Sequence, residues 1–334
     1  MISGLLAVAL CFCLSGGGQS GIILTASADG EAAQAAERLR AGLTDCAEVI
    51  DLSDCRLPRD RLSEVLTGVL LDDPALFHTD ARVSYTYDRE GLVLAVFPTY
   101  TLTGSTLAEA RRLYRDTLDA FCVALDAAEI RSEADTVLFA HEWLAARSTY
   151  DESGTRFDAY SLFCDGAGVC QAYALAFLAL MQAAGLTAEV VVSSGMDHAW
   201  NRVCVDGAWF HVDVTRDDSP IAGVHDRLFM TDAQAAALGY TGYDVPPGHE
   251  CVSERYASLL ADCRSALTRA GDVWLCKRDG LPVRISLSDG TVGLPGDVDG
   301  DGHLSLLDLL LLTGPEGDAA AAPLLRTLLL DAAA

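Results

Sequence analysis

Gly168-Val169-Cys170-Gln171-Ala172-Tyr173-Ala174 is the stretch on which the fold turns. Ala167-Gly168-Val169 reads as a Gly-containing loop, Cys170 as the head of a helix, and residues 171–184 as a helix apolar almost all round that Gly185 stops. A helix apolar on every face is buried on every face, so it marks the centre of a core. Downstream, residues 188–192 and 199–205 read as strands. Asp206-Gly207 is a two-residue turn signal, and residues 209–214 complete a hairpin. A buried helix followed by an antiparallel meander predicts an α+β core.

Taken singly, a cysteine heading a helix is usually a small buried hydrophobe, and a histidine on a strand is usually a hydrogen-bonded structural residue. Their joint placement points elsewhere. A nucleophilic thiol needs a helix N-terminus, an imidazole or both to favour the thiolate. Cys170 has the helix end. His198 opens the strand His198-Ala199-Trp200-Asn201-Arg202-Val203, and Asp213 lies on its partner. If Val205 pairs with Ala208 across the turn, Asp213 falls opposite Trp200 and becomes the diagonal neighbour of His198 on one face. A carboxylate there holds the imidazole tautomer. Trp200 and Trp209 read as core aromatics. A metal site from His198, His211 and Cys204 fits no common zinc spacing.

These motifs, with Trp209-Phe210-His211-Val212-Asp213-Val214-Thr215 and Asp217-Asp218, resemble the transglutaminase-like superfamily. His141-Glu142-Trp143-Leu144 and Tyr150-Asp151 resemble the helix and tyrosine that precede the cysteine motif in its secreted bacterial members. The resemblance implies a papain-like core and a Cys170–His198–Asp213 triad, with Gln171, Trp200, Asn201 and Tyr150 supporting the site or its substrate. It implies a thioester formed on a peptide or glutamine amide with no catalytic cofactor, resolved by water in a peptidase or amidase and by an amine in a cross-linking enzyme. Hydrolysis is the expectation taken forward. Two positions depart from the family pattern: Arg216 stands where tryptophan is frequent, and Ala172 where glycine is frequent. Arg216 sustains a rival reading, a catalytically silent, surface-attached module that binds peptide or glycan on the same fold.

Upstream, residues 30–43 carry helical spacing, residues 83–87 and 92–97 read as a hairpin around Asp88-Arg89-Glu90-Gly91, and residues 106–127 and 132–148 as helices. Residues 22–24 read as a short strand. The apolar stretch 5–14 is too short to span a bilayer but suits a signal-peptide core, although no Lys or Arg precedes Arg38. Export to the cell surface or medium is therefore expected, with no transmembrane span. Cys11 and Cys13 lack the preceding small residue of a lipidation site. Setting them aside leaves nine of eleven cysteines, an odd number that suits one unpaired nucleophile. A net charge of -25 argues against a nucleic-acid partner, since that affinity rests on Lys and Arg.

Beyond Pro246-Pro247-Gly248, residues 252–268 read as a helix, followed by short strands at 273–277 and 282–286. Asp297, Asp299, Asp301, Ser305 and Asp308 then place oxygen donors at positions 1, 3, 5, 9 and 12 of a loop with Gly302 at position 6, and His303 offers its backbone carbonyl at position 7. That spacing suits calcium. With Asp at position 12 and Leu309 to Leu312 following, it resembles the first half of a dockerin, which implies a cohesin partner. Residues 323–334 read as the helix leading to a second loop. The predicted organisation is a signal or hydrophobic segment at 1–28, an α/β region at 29–131, the catalytic core at 132–245, an accessory region at 246–294, and a partial dockerin-like calcium module at 295–334.

Overall fold

The computed structural model describes residues 2–7, 30–218, 225–256, 259–260, 263, 265, 267–278, 280–294 and 296–314. The first layer comprises β1 (Ile2–Ala7), α1 (Gly30–Thr44), β2 (Ile50–Asp51), α2 (Leu62–Asp72), β3 (Thr79–Tyr87) and β4 (Val93–Tyr100). Its antiparallel sheet runs β1-β3-β4-β2. Part of the stretch read as a leader is thus an edge strand, while the strand expected at residues 22–24 lies outside the described residues. Helix α1 forms because Ala32, Ala35, Leu39 and Leu43 make one apolar stripe, which packs with Leu62 and Leu66 of α2 over Val83, Val93 and Val96. The β3–β4 turn is fixed by Asp88, whose carboxylate accepts the N–H groups of Glu90 and Leu92 at 2.8 and 3.0 Å.

The second layer begins with α3 (Gly104–Ala127) and α4 (Glu133–Ala145), the latter N-capped by Ser132. Then follow β5 (Thr149–Tyr150), α5 (Ala159–Asp165), β6 (Ala167–Gly168), α6 (Cys170–Ala183), β7 (Ala188–Ser193), β8 (His198–Val205), β9 (Ala208–Val212), α7 (Val214–Asp217), β10 (Leu228–Met230) and α8 (Asp232–Ala237). The antiparallel sheet β10-β9-β8-β7 packs against α6, whose residues from Cys170 to Met181 are all buried. This is the α+β arrangement expected. Val205 pairs with Ala208 and Asn201 with Val212, the register read from the Asp206-Gly207 turn. Both turn residues hold positive φ, 51° and 79°, as the hairpin twist demands.

The entry to α6 is set by sterics. β5 and β6 pair in parallel, Tyr150 beside Gly168. A Cβ on Gly168 would lie 2.6 Å from Ala172 Cβ and 3.0 Å from Leu162, so only glycine lets this strand meet the first turn of the helix.

The last part of the chain carries β11 (Thr268–Ala270), β12 (Val273–Arg278), β13 (Leu281–Ser286), β14 (Thr291–Val292) and α9 (Leu306–Leu312). The four strands form an antiparallel sheet in sequence order. Trp274, Cys276, Val283, Ile285 and Leu287 enter the same hydrophobic core as α4 and α6. Asp135 on α4 clasps the sheet, accepting from Trp274 Nε1 at 2.6 Å and from Arg269 Nη1 at 3.0 Å. Among the described residues of the stretch 252–268 no helix is formed: residues 251–256 are irregular or turn, and Thr268 pairs with Leu275. Tyr256, Leu259, Leu260, Cys263 and Leu267 are buried at the helical spacing that suggested it. Arg255 and Tyr256 are tied to Asp206, and Thr268 to the sheet.

Candidate active site

Cys170 is the first residue of α6, preceded by extended Val169, and no side chain caps the turn. The first N–H groups of a helix have no intrahelical acceptor, so positive potential and open donors lie beside the thiol. Cys170 is 8% exposed, so little of it is open to solvent.

His198 faces it from the start of β8, near enough that Cys170 favours the charged form of the ring. His198 Nε2 lies 2.6 Å from Asp213 Oδ2, which leaves Nδ1 as the nitrogen toward the thiol. Burial disfavours the imidazolium, yet Asp213 and Cys170 outweigh it and raise His198 to about 9. The ring is therefore protonated at neutral pH.

Asp213 follows β9 and N-caps α7, its Oδ1 accepting the Arg216 N–H at 3.1 Å. Tyr240 donates its hydroxyl to Oδ2 at 2.5 Å. Burial would push this carboxyl up, but His198, Tyr240 and the Arg216 N–H hold it below the ordinary value. Arg216 is a constituent of the site: its guanidinium lies over the Tyr240 ring at 4.7 Å, with Nε 3.9 Å from Asp213 Oδ2. At this position the chain pairs an arginine with a tyrosine. The triad is thus a row of four, and sequence reasoning missed Tyr240. Its only local signal was an aromatic with a polar tip between Gly239 and Gly242, just past a short helix.

The other expected residues hold these in place. Trp200 is fully buried and stacks on His198, ring centroids 5.7 Å apart. Its Nε1 donates to His211 Nδ1 at 2.9 Å, so His211 carries its proton on Nε2 and gives it to Asp232 Oδ1, also at 2.9 Å. Burial pulls His211 below the ordinary value, keeping it neutral. Asn201 Nδ2 ties β8 to Ala174 O of α6 at 3.0 Å. Gln171 Nε2 donates to Phe157 O at 3.2 Å, and Tyr150 stands exposed on β5.

A second buried network lies behind Asp213. Glu142 Oε1 is 3.0 Å from His141 Nδ1 and 2.7 Å from His225 Nε2, and Oε2 accepts the Leu267 N–H at 3.1 Å. His141 Nε2 is 3.3 Å from Asp217 Oδ2 on α7. The network thus joins α4, α7 and the start of the C-terminal sheet. Burial works against charge on His141, but Asp217 and Glu142 raise it to about 9; burial would also raise Glu142, but the two histidines hold it well below the usual range. The raised His141 contributes stability that is full below pH about 6.5 and is lost as pH rises through about 9. The depressed Glu142 contributes stability that is lost only in acid. The melting temperature is expected to fall by a few degrees between pH 6.5 and 9.5, and Glu142→Gln to flatten that slope. An unchanged slope in the variant, measured by calorimetry, would refute the coupling.

Two histidine clusters offer metal-ligand atoms within 4.8 Å: His141, Glu142 and His225, and His211, Asp232 and Cys251. In the second, the two ring nitrogens are already engaged by Trp200 and Asp232. In the C-terminal loop, Asp297, Asp299 and Asp308 converge in the same way. Asp297 accepts the N–H groups of Gly300, Asp301 and Gly302, and Asp308 those of Val298, Asp299 and Ser305. Asp301 turns its Oδ1 to the His303 N–H at 2.7 Å. The helix expected at residues 323–334 lies outside the described residues.

A family model described as Transglutaminase-like superfamily matches residues 124–214. That segment contains Cys170, His198 and Asp213 and covers about a quarter of the chain. Among solved structures, the chain is similar to a candidate cysteine protease from Cytophaga hutchinsonii, 15% identical over 40% of this chain and 61% of that one, with a TM-score of 0.26. It is also similar to a TGase, 16% identical over 54% of this chain and 58% of that one, with a TM-score of 0.29. The matched part spans less than two thirds of either chain. No curated protein matches the sequence. The transglutaminase-like segment ends one residue past Asp213, so Arg216, Asp217, His225 and Tyr240 lie beyond it. Among the described residues, no helix is long and apolar enough to cross a membrane.

Proposed function

We propose that this chain is a cysteine-dependent acyl-transfer enzyme that hydrolyses peptide or glutamine amides through a thioester on Cys170. One observation carries the proposal: the buried row in which the Cys170 thiol meets a His198 ring held 2.6 Å from Asp213 at the head of α6. The thiolate adds to the amide carbonyl carbon, and the N–H groups of the first turn of α6 stabilise the oxyanion. Protonated His198 delivers its proton to the leaving nitrogen as the C–N bond breaks. Water then adds to the thioester, His198 accepts its proton, and the C–S bond breaks to release the acid and restore the Cys170 thiolate beside protonated His198. Asp213, braced by Tyr240 and Arg216, keeps the ring oriented throughout.

The test is alkylation with iodoacetamide followed by peptide mapping, alongside product analysis on a peptide library with and without added primary amine. Preferential labelling of Cys170 and release of free acid are expected. A thiol no more reactive than Cys55 or Cys251 would sink the enzymatic reading and favour a silent binding module. Amide products formed at the expense of acid would sink hydrolysis alone.

The proposal extends to export, motivated by the apolar stretch 5–14 and tested by the N-terminal mass of the protein recovered from culture medium. It extends also to calcium in the loop of Asp297, Asp299, Asp301, His303 and Asp308, with attachment to a cohesin-type scaffold as the role. Support comes from the converging carboxylates of Asp297, Asp299 and Asp308. Calorimetric titration of the full chain with calcium is expected to show one site that Asp297→Asn, Asp308→Asn removes. Equal heats from the double variant would refute it.

A further inference from the structure

We infer that Cys263 and Cys276 form a disulfide in the mature protein. Their sulfurs are 2.7 Å apart, and both side chains are buried in the core that also holds α4 and α6. Cys276 sits on β12 and pairs with Val283 of β13, so its position is set by the sheet. Cys263 is brought to it by the segment running into β11, anchored by the Cys263 N–H to Leu260 O at 3.2 Å and by Arg278 Nη2 to Leu259 O at 2.6 Å. Cys122 and Cys251, by contrast, each turn their sulfur to a backbone carbonyl.

The chemistry of the pair suits exchange. The short contact between the sulfurs and the neighbouring Arg278 favour a thiolate in the pair. With Cys263 as the first thiolate, its sulfur attacks the disulfide of an oxidised low-molecular-weight thiol or dithiol protein, releasing one thiol. Cys276 then attacks Cys263 in the mixed disulfide and releases the second. Two protein thiols and one external disulfide become one protein disulfide and two external thiols. Because both sulfurs are closed from solvent, the exchange belongs to folding, and the finished bond is shielded from reductants.

The loop so closed contains Leu267, whose N–H caps Glu142, and Arg269, which pairs with Asp135. A cross-link at its ends holds the C-terminal sheet against α4 and, through Glu142, His141 and Asp217, against the helix that Asp213 caps. The inference stands on this geometry and not on the enzymatic reading.

The experiment uses the full chain refolded in a glutathione redox buffer, alkylated in denaturant without reduction, digested and mapped by mass spectrometry. A cross-linked Cys263–Cys276 peptide, about 2 Da lighter than its two halves, is expected, with Cys170 recovered alkylated. Refolding in the presence of dithiothreitol is expected to give a wild type that melts several degrees below the oxidised protein, and to leave Cys263→Ser, Cys276→Ser unchanged. Recovery of both cysteines as alkylated thiols, pairing of either with another cysteine, or an equal shift in the double variant would overturn the inference.

Discussion

Replacing Cys170 with alanine is expected to lower kcat/KM on peptide or amide substrates by about 10⁴-fold or more while leaving the melting temperature within about 2 °C of the wild type. The contrast follows from position. The sulfur is the only group in the row able to form the thioester, so its loss removes a chemical step and not a margin of orientation. Alanine fills most of the same volume at the head of α6, and the helix keeps its burial through Tyr173, Phe177 and Leu180. Residual activity above about a tenth of wild type, with folding intact, would mean that Cys170 is not the nucleophile.

Asp213→Asn is expected to cost about 10³-fold in kcat and to shift the alkaline limb of the pH–rate profile downward. Under the proposed mechanism the wild-type limb is expected near 9, because His198 is raised to about 9 and its imidazolium is there the acid that protonates the leaving group. The carboxylate is the main cause of that rise. Without its charge the folded-state value falls toward the ordinary histidine range, and the imidazolium is lost at lower pH. Asparagine presents an N–H₂ to a ring that needs an acceptor, and so favours the wrong tautomer. Tyr240→Phe removes one donor to the same oxygen and is expected to show a smaller loss. A limb that stays near 9 in Asp213→Asn would place the catalytic proton elsewhere.

The nearness of Cys170, His198 and Asp213 was legible because they are close in sequence and joined by rules that act locally. Gly185 ends one helix, Asp206-Gly207 fixes one turn, and the register that follows places Asp213 diagonal to His198. Tyr240 was not legible, since nothing about a tyrosine after a short helix says it will return to a carboxylate 27 positions earlier. The same holds for His225 and Glu142, 83 positions apart. The residues 252–268 were misread for the complementary reason. Their apolar spacing reports which side chains are buried, and tertiary ties at Asp206 and Leu275 decided the path by which they get there.

The clasp between α4 and the C-terminal sheet has a consequence for the order of synthesis. Trp274 reaches Asp135 across 139 positions, and Leu267 reaches Glu142 across 125. A nascent chain emerging from the ribosome can form α6 and the β8–β9 hairpin early, since those contacts are short in sequence. The carboxylate that steadies the helix behind Asp213 gains its last partner only when the β11–β12 segment has emerged. The row of Cys170, His198 and Asp213 can thus come together before the frame behind Asp213 gains its last contacts.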